Sequence, residues 1–98
     1  MDIGQVRDND MKCSVYIALC ANGRYYVGSS INVAQRLKEH NSGKTKSLTH
    51  VLPVKLVFSQ EFDDEPTARR AEYVLKQKKS RVIIERIIQE GKIKFLGP

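Results

Sequence analysis

Cysteine is scarce in this 98-residue sequence, tryptophan is absent and no long apolar run occurs. The two cysteines, Cys13 and Cys20, are too few for a disulfide framework and fit a reducing compartment. Together with His40 and His50, they lack the closely paired ligands that structural zinc sites use. This pattern therefore excludes both a disulfide scaffold and a structural zinc site.

A membrane segment is also missing, because no apolar run approaches the roughly 20 residues that a spanning helix needs. The first eleven residues lack the apolar stretch of a secretion signal and are polar and unpatterned. We therefore expect a cytoplasmic protein without membrane contact, in which residues 1–11 form a loose tail.

Length and composition predict a single domain. Hydrophobic residues make up 41% of the chain and charged residues 29%, a mixture typical of a globular protein rather than a disordered one. A chain of 98 residues has little room beyond one core. We place the domain at residues 12–92, followed by a C-terminal tail over 93–98.

Positive charge is concentrated in the last third of the chain. The formal net charge is +6, and residues 66–98 carry nine basic and three acidic side chains, whereas the two signs cancel over residues 1–65. Such a basic surface suits a polyanion such as nucleic acid. A solvated, solubilising helix face explains the same asymmetry.

The hydrophobic pattern predicts a hairpin followed by a helix. Strands over 14–20 and 25–29 flank an Asn-Gly pair, which supplies the positive φ angles of tight hairpin turns. Alternation along the first strand places apolar side chains on both of its faces, so we expect both faces to be covered. Asn32 is the predicted N-cap of a helix that runs to about Asn41.

A polar, basic connection over 42–53 separates this unit from the rest of the chain, and its length is one at which loops are often functional or disordered.

Acidic residues before Pro66 complement the positive end of a helix dipole and predict a helix start. The mixture of strands and helices predicts an α/β fold of the α+β type. The remaining predicted elements are a third strand (54–62), a helix from 63–65 to about 79, and a last helix from Ser80 to Gly91.

Glu72 is the most informative single residue of the predicted helices. At 100° per residue it borders the apolar stripe of Ala68, Ala71 and Leu75 that must face the core. An unpaired carboxylate is costly to bury, so such a residue has a cation, a metal or hydrogen-bond donors beside it. A salt bridge to a nearby Lys or Arg, or exposure at the edge of the stripe, explains the position equally.

Arg36 and His40 are neighbours on one helix surface, because they are four residues apart. Arginine grips a phosphate in a bidentate manner, and histidine titrates near neutral pH and transfers protons. The alternative is an arginine that faces solvent and a histidine near the helix C-terminus, where the dipole favours it.

The hairpin contributes two tyrosines and a glycine. Tyr16 and Tyr26 each carry a hydroxyl that needs a partner when buried. Gly28 shares a strand face with Tyr26 but has no side chain, so its bare backbone is expected to let a ligand approach closely. Tyr25 is expected only to pack.

Together these residues resemble the GIY-YIG endonuclease family, over about residues 13–80. The strand reads SVY where the family has its first triplet, and YVG matches the second. The glycine of the first triplet, a tryptophan after the glutamate helix and a late asparagine of some members have no counterpart here. The matching functional positions are Tyr16, Tyr26, Arg36, His40 and Glu72. The chain is most similar to the small stand-alone members of this family. It also resembles the nuclease domain of the incision subunit of bacterial nucleotide-excision repair.

The resemblance implies a three-stranded, mostly antiparallel sheet flanked by helices, and hydrolysis of a phosphodiester with Mg²⁺ or Mn²⁺ bound by Glu72. A single carboxylate suffices, because Mg²⁺ takes waters and phosphate oxygens as its other ligands. Arg36 would neutralise the transition state. Tyr16 would orient or deprotonate the attacking water, with Tyr26 and His40 assisting. Whether Tyr16 or His40 is the general base stays open, because a tyrosine with a pKa of about 10 is rarely ionised at neutral pH.

The substrate implied by the resemblance is DNA, in repair, recombination or processing. With no room for a sequence-reading domain, we expect structure-selective or weakly specific cleavage. RNA and the single-stranded, duplex and branched forms of DNA stay open, as do a protein partner and the oligomeric state. The expected substrate contacts are Gly28, Lys44, Lys46, Arg69, Arg70 and Lys76.

Two other interpretations are kept. One is a nucleic-acid-binding module, or a partner-dependent subunit, that has the fold but does not cut alone. The other is a basic interaction domain that binds no nucleic acid, which DNA binding that is absent or insensitive to salt would favour.

Overall fold

The computed structural model describes residues 11–94. Three strands form one sheet in the order β2-β1-β3, and both pairings are antiparallel. This confirms the predicted α+β class. The elements are β1 (Cys13–Leu19), β2 (Tyr25–Ser30), α1 (Val33–Asn41), a short 3₁₀ turn (Lys46–Leu48), β3 (Lys55–Phe62), α2 (Glu65–Lys78) and α3 (Arg81–Glu90).

The hairpin turn between β1 and β2 differs in detail from the prediction. The Cys20 N–H donates to the Arg24 carbonyl at 2.8 Å, and Gly23 adopts a φ of 87°. Asn22 has no positive φ, since in the part of the chain that the structure describes Lys79 is the only non-glycine residue with one. The turn therefore requires a glycine at position 23 alone.

The sheet separates two apolar clusters, as the alternation along β1 predicts. The larger cluster lies under α2 and α3 and includes Val15, Ile17 and Leu75. The smaller cluster lies on the other face, where Ala18 and Cys20 pack with residues of α1 and of the following loop. Because successive side chains of a strand point to opposite faces, the two clusters share the central strand.

The helix ends follow the predicted caps with small shifts. The Asn32 side chain accepts from the Gln35 N–H and begins α1. Asp64, the middle residue of the predicted acidic start, accepts from the Thr67 N–H at 2.8 Å and caps α2. Lys79 lies outside α2, because its φ of 47° breaks the helix before Ser80 caps α3.

The connection over 42–53 is more ordered than its polar sequence indicates. Leu48, in the 3₁₀ turn, is buried in the smaller cluster. The Asn41 side chain closes the two ends of the connection, because it donates to the Val54 carbonyl at 3.1 Å and accepts from the Val54 N–H at 2.7 Å. These bonds hold Val54 outside β3, which begins one residue later than predicted.

The C-terminal boundary lies further along the chain than expected. Ile93, assigned from the sequence to a tail, is buried in the larger cluster, and its N–H donates to the Gln60 side chain at 2.8 Å. The expected N-terminal tail, apart from Met11, lies outside the described residues. No helix between residues 11 and 94 is long and apolar enough to span a membrane.

Candidate functional site

Gly28 provides the space that Tyr16 occupies. The two residues are paired across β1 and β2, and both are buried. A Cβ atom at position 28 would lie 2.5 Å from the Tyr16 hydroxyl oxygen and 2.7 Å from Cζ. The open approach that we expected for a ligand over Gly28 is therefore filled by the Tyr16 ring. This glycine is explained by packing of the tyrosine.

The Tyr16 hydroxyl contacts the imidazole of His40. The hydroxyl oxygen lies 2.7 Å from Nε2, and both side chains are buried. The other ring nitrogen, Nδ1, lies 2.6 Å from the hydroxyl oxygen of Thr45. Tyr26 packs edge-on against the imidazole, with 5.2 Å between ring centroids. Three of the predicted site residues thus form one cluster on the α1 face of the sheet.

Burial shifts the pKa values of Tyr16 and His40 in the directions that disfavour their charged forms. Burial, reinforced by Tyr26 and opposed by Arg36, raises the pKa of Tyr16 to about 12. Burial and the charge of Arg36 lower the pKa of His40, while Glu39 opposes them. At neutral pH the pair is therefore a phenol and a neutral imidazole.

Arg36 lies beside the tyrosine at the rim of the cluster. Its guanidinium donates to the Glu39 carboxylate at 3.0 Å, and 40% of its side chain is exposed. The positive charge of Arg36 also lowers the pKa of Tyr16. The predicted arginine is thus next to the tyrosine and accessible to an anion.

Glu72 lies at the edge of the sheet formed by β2. Its Oε1 accepts from the Ser29 hydroxyl at 2.5 Å, and its Oε2 lies 2.7 Å from Nζ of Lys76. Only 20% of its side chain is exposed, in agreement with the predicted position beside the apolar stripe. Both sequence interpretations hold in part, since the carboxylate has a lysine partner and also a hydrogen-bond donor from another element.

A groove of about 390 Å³ joins the rim of the cluster to the start of α2. Arg36 and Arg69 lie along its walls together with Ser29, the partner of Glu72. Arg69 is also paired with Glu65, with Nε 2.6 Å from the carboxylate. The groove therefore places two guanidinium groups beside Ser29, which binds the Glu72 carboxylate.

The other predicted substrate contacts are distributed unevenly. Lys44 and Lys46 are exposed and flank Thr45, so the loop brings them next to the cluster. Lys76 is bound to Glu72. Arg70 is exposed on α2 two residues before Glu72, which places it about 160° around the helix from that carboxylate. The structure therefore separates Arg70 from the other site residues.

Two polar partners were missed by the sequence analysis. Ser29 binds Glu72 across a separation of 43 residues, and Thr45 binds His40 across a separation of 5 residues. Each hydroxyl lies outside the helix that carries its partner. Short hydroxyl side chains occur in any loop or strand end, so no spacing in the sequence marks these two.

Comparison with known proteins identifies the family. Residues 12–86 match the family model described as the GIY-YIG catalytic domain. The chain belongs to the GIY-YIG family. This confirms the resemblance inferred from Tyr16, Tyr26, Arg36, His40 and Glu72, and it indicates a nuclease-type hydrolase.

Relatives of similar length carry the name UPF0213 protein. A UPF0213 protein of Streptococcus pneumoniae serotype 4 is 42% identical over 71 residues, which is 71% of this chain and 72% of that protein. A UPF0213 protein of Bacillus licheniformis is 42% identical over 76 residues, 76% of this chain and 77% of its own. The solution NMR structure of a UPF0213 protein from Bacillus halodurans, 32% identical, covers 87% of this chain and 90% of its own with a TM-score of 0.55.

The donor set at Glu72 fits a divalent cation of the Mg²⁺ type. No group of three or more His, Cys, Asp or Glu side chains that could hold a metal occurs within the described range 11–94. Mg²⁺ does not require one, because it is often bound by one or two carboxylates with waters and substrate phosphates as the other ligands. Glu72 retains acceptor capacity, since each carboxylate oxygen has two lone pairs.

Proposed function

We propose that this protein is a divalent-metal-dependent endonuclease that hydrolyses phosphodiester bonds in DNA. The observation that carries the proposal is the buried contact of 2.7 Å between the Tyr16 hydroxyl and Nε2 of His40, with Arg36 beside it. A buried phenol and imidazole in contact, next to an accessible guanidinium, provide a proton acceptor and an anion-binding group at one place.

Arg36 binds the scissile phosphate in this proposal. Its guanidinium offers several donors in a fixed plane, and these match phosphate oxygens. A cation near the phosphate stabilises the charge that develops in the transition state, and a partly buried cation does so more strongly than one in bulk water. Arg69 along the same groove fits a neighbouring phosphate.

Tyr16 and His40 together activate the attacking water. A phenol with a pKa near 12 supplies almost no phenolate at neutral pH, so Tyr16 alone is a poor base. The imidazole that contacts it is neutral and accepts a proton in that range. We therefore assign Tyr16 to orienting the water and transferring its proton, and His40 to accepting the proton.

Glu72 would hold Mg²⁺ or Mn²⁺, and a bound divalent cation would stabilise charge on the phosphate and on the leaving oxygen. Ser29 fixes one oxygen of this carboxylate. The contact of Lys76 with the other oxygen favours a second candidate, a nucleic-acid-binding module that does not cut, since the carboxylate already has a cationic partner.

The substrate contacts proposed for the surface are Lys44, Lys46 and Arg69, which lie near Arg36 or along its groove. No separate sequence-reading element accompanies them in the described residues, so we propose weakly specific or structure-selective cleavage, in DNA repair or processing. Labelled RNA, added to the substrates of the experiment below, tests the alternative substrate.

The deciding experiment compares the protein with its Glu72→Ala variant on labelled single-stranded, duplex and branched DNA, each with Mg²⁺, Mn²⁺ or EDTA. Glu90→Ala is the matched control, because Glu90 also forms an i,i+4 pair with a lysine, Lys94, at 3.2 Å. Metal-dependent cleavage by the protein and by the control, lost in Glu72→Ala, supports the nuclease. DNA binding without cleavage in any of these conditions supports the binding module.

A further inference from the structure

His40 is buried between two hydroxyl groups. Nδ1 lies 2.6 Å from the hydroxyl oxygen of Thr45, and Nε2 lies 2.7 Å from the hydroxyl oxygen of Tyr16. A neutral imidazole has one N–H donor and one acceptor nitrogen, so only one of these two hydroxyls receives a proton from the ring. The tautomer of His40 therefore decides the direction of the Tyr16 hydrogen bond.

We propose that Thr45 is a positioning residue that accepts the Nδ1–H hydrogen bond and thereby holds His40 in the tautomer whose Nε2 accepts the Tyr16 proton. The catalytic consequence of this assignment rests on the proposed nuclease function. The tautomer itself is a property of the folded protein and is measured without any substrate.

Arg36 favours this direction of the hydrogen bond. A guanidinium has only N–H donors, so Arg36, whose charge lowers the pKa of the neighbouring Tyr16, offers the phenol proton no acceptor. The phenol proton is then free to point toward His40. In histidine sites generally, the partner of one ring nitrogen sets which nitrogen carries the proton.

The loop holds Thr45 in place on both sides. The Leu48 N–H donates to the Thr45 carbonyl at 3.0 Å, and the Leu48 side chain is buried in the smaller cluster. On the other side, the loop returns from α1 through Gly43, whose φ of 88° provides the necessary bend. Thr45 is thus placed by the backbone of an anchored turn.

The proton transfer that follows from this arrangement balances. As the water oxygen bonds to phosphorus, its proton passes to the Tyr16 oxygen and the phenol proton passes to Nε2 of His40. The bond between phosphorus and the leaving oxygen breaks, and that oxygen takes a proton from solvent. His40 becomes an imidazolium that keeps its Nδ1–H on Thr45, and it later releases one proton to solvent.

Nitrogen NMR of the ¹⁵N-histidine-labelled protein at pH 8 tests the assignment. The chain has two histidines, and the exposed His50 gives an internal reference for a ring without this environment. We expect Nδ1 of His40 to be protonated and Nε2 to be unprotonated. A protonated Nε2 in the unmodified protein would overturn the proposal.

Thr45→Val tests the role of the hydroxyl, because valine keeps the branched shape but accepts no hydrogen bond. The Nδ1–H tautomer is expected to lose its dominance in Thr45→Val and to return in Thr45→Ser. Thr49→Val makes the same change at an exposed position of the same loop and should leave the spectrum unchanged. A Thr45→Val spectrum identical to that of the unmodified protein contradicts the proposal, and the Ser variant shows whether a hydroxyl alone restores it.

Cleavage assays separate this inference from the function on which it rests. In an active nuclease, Thr45→Val should lower kcat by about 10- to 100-fold, the range typical of removing the hydrogen-bond partner of a metal-bound histidine, and leave KM unchanged. An unmodified protein with the expected tautomer and no cleavage would refute the nuclease while supporting the assignment of Thr45.

Discussion

Tyr16 and Gly28 are a single packing unit, although they lie on different strands. The register pairs them, and a side chain at position 28 would overlap the tyrosine ring. The glycine of the YVG triplet thus has a geometric reason that alternation along the strand alone does not provide.

Gly28→Ala is expected to destabilise the protein by about 1–3 kcal/mol, the usual effect of overpacking, and to displace the Tyr16 hydroxyl from His40. Urea denaturation measures the loss. The penalty should largely disappear in a Tyr16→Ala background, because the overlapping ring is then absent. A penalty of equal size in both backgrounds would mean that backbone conformation, not the ring, requires the glycine.

The pH dependence of cleavage reports which group accepts the proton. Below its pKa His40 is protonated and cannot accept, so the rate should rise with pH through a pKa below the ordinary value of about 6.5 and level off by about pH 7. The ionisable groups around His40 are Tyr16, Tyr26, Arg36 and Glu39. Single-turnover rates from pH 5 to 10 measure the profile.

Because the pKa of Tyr16 is raised to about 12, the plateau should extend to pH 10. A rate that increases tenfold per pH unit from 7 to 10 would instead identify a phenolate base. His40→Gln should lose the limb between pH 5 and 7 if His40 is the acceptor.

At the scale of single residues, the side chains of the site could be predicted from the sequence by type and order, but their hydrogen-bond partners could not. Tyr16, His40 and Arg36 could be named because their spacing is typical of a family. Thr45 could not, because its role depends on a loop that brings it back onto α1, and no local pattern encodes that return.

Elements were predictable where a local signal marks them. Helix caps are such signals, because they depend only on neighbouring backbone groups. Asn32 begins α1, Ser80 begins α3 and Gly91 ends α3. The connection over 42–53 was not predictable in this way, because its order comes from long-range contacts. Its closure by Asn41 and Val54 joins two residues that are 13 positions apart in the chain.

Asn41→Ala should release the connection over 42–53 without unfolding the sheet. The variant cannot form the two hydrogen bonds to the Val54 backbone, and leaving partly buried groups unpaired costs about 1–3 kcal/mol. Hydrogen exchange of amides in this connection should accelerate, while exchange in β1 stays slow. Gln77→Ala, an exposed amide on α2, is the control. Unchanged exchange in Asn41→Ala would contradict this role.

At the scale of the whole molecule, the basic surface is divided. Arg69 and Lys76 lie near Glu72, whereas a cavity of about 480 Å³ beside α3 is lined by the basic residues Lys78, Arg86, Lys92 and Lys94 together with Glu90. The sequence showed the excess of positive charge in the last third of the chain. It could not show this division, because the packing of α2 and α3 decides which of these side chains lie together.

DNA binding, measured in EDTA, should weaken steeply with salt, because binding to phosphates releases counterions. Replacing Lys44 and Lys46 by serine should reduce the slope of log K against log salt by about one for each phosphate that the loop no longer neutralises. The charge-matched control replaces Lys12, which precedes β1 and pairs with Glu61, and Lys55, the first residue of β3. Equal changes in the two double variants would show that net charge alone, not the loop, determines binding.

The unequal clusters on the two faces of the sheet have a consequence for heat inactivation. The catalytic candidates on α1 depend on the smaller cluster, whereas most of the apolar packing lies under α2 and α3. Local opening of the weaker layer costs less than global unfolding. In an active nuclease, cleavage should therefore stop some degrees below the main thermal transition and return on cooling, so that its working temperature range would be narrower than its range of folding. Simultaneous loss of activity and of circular dichroism would show that both layers melt together.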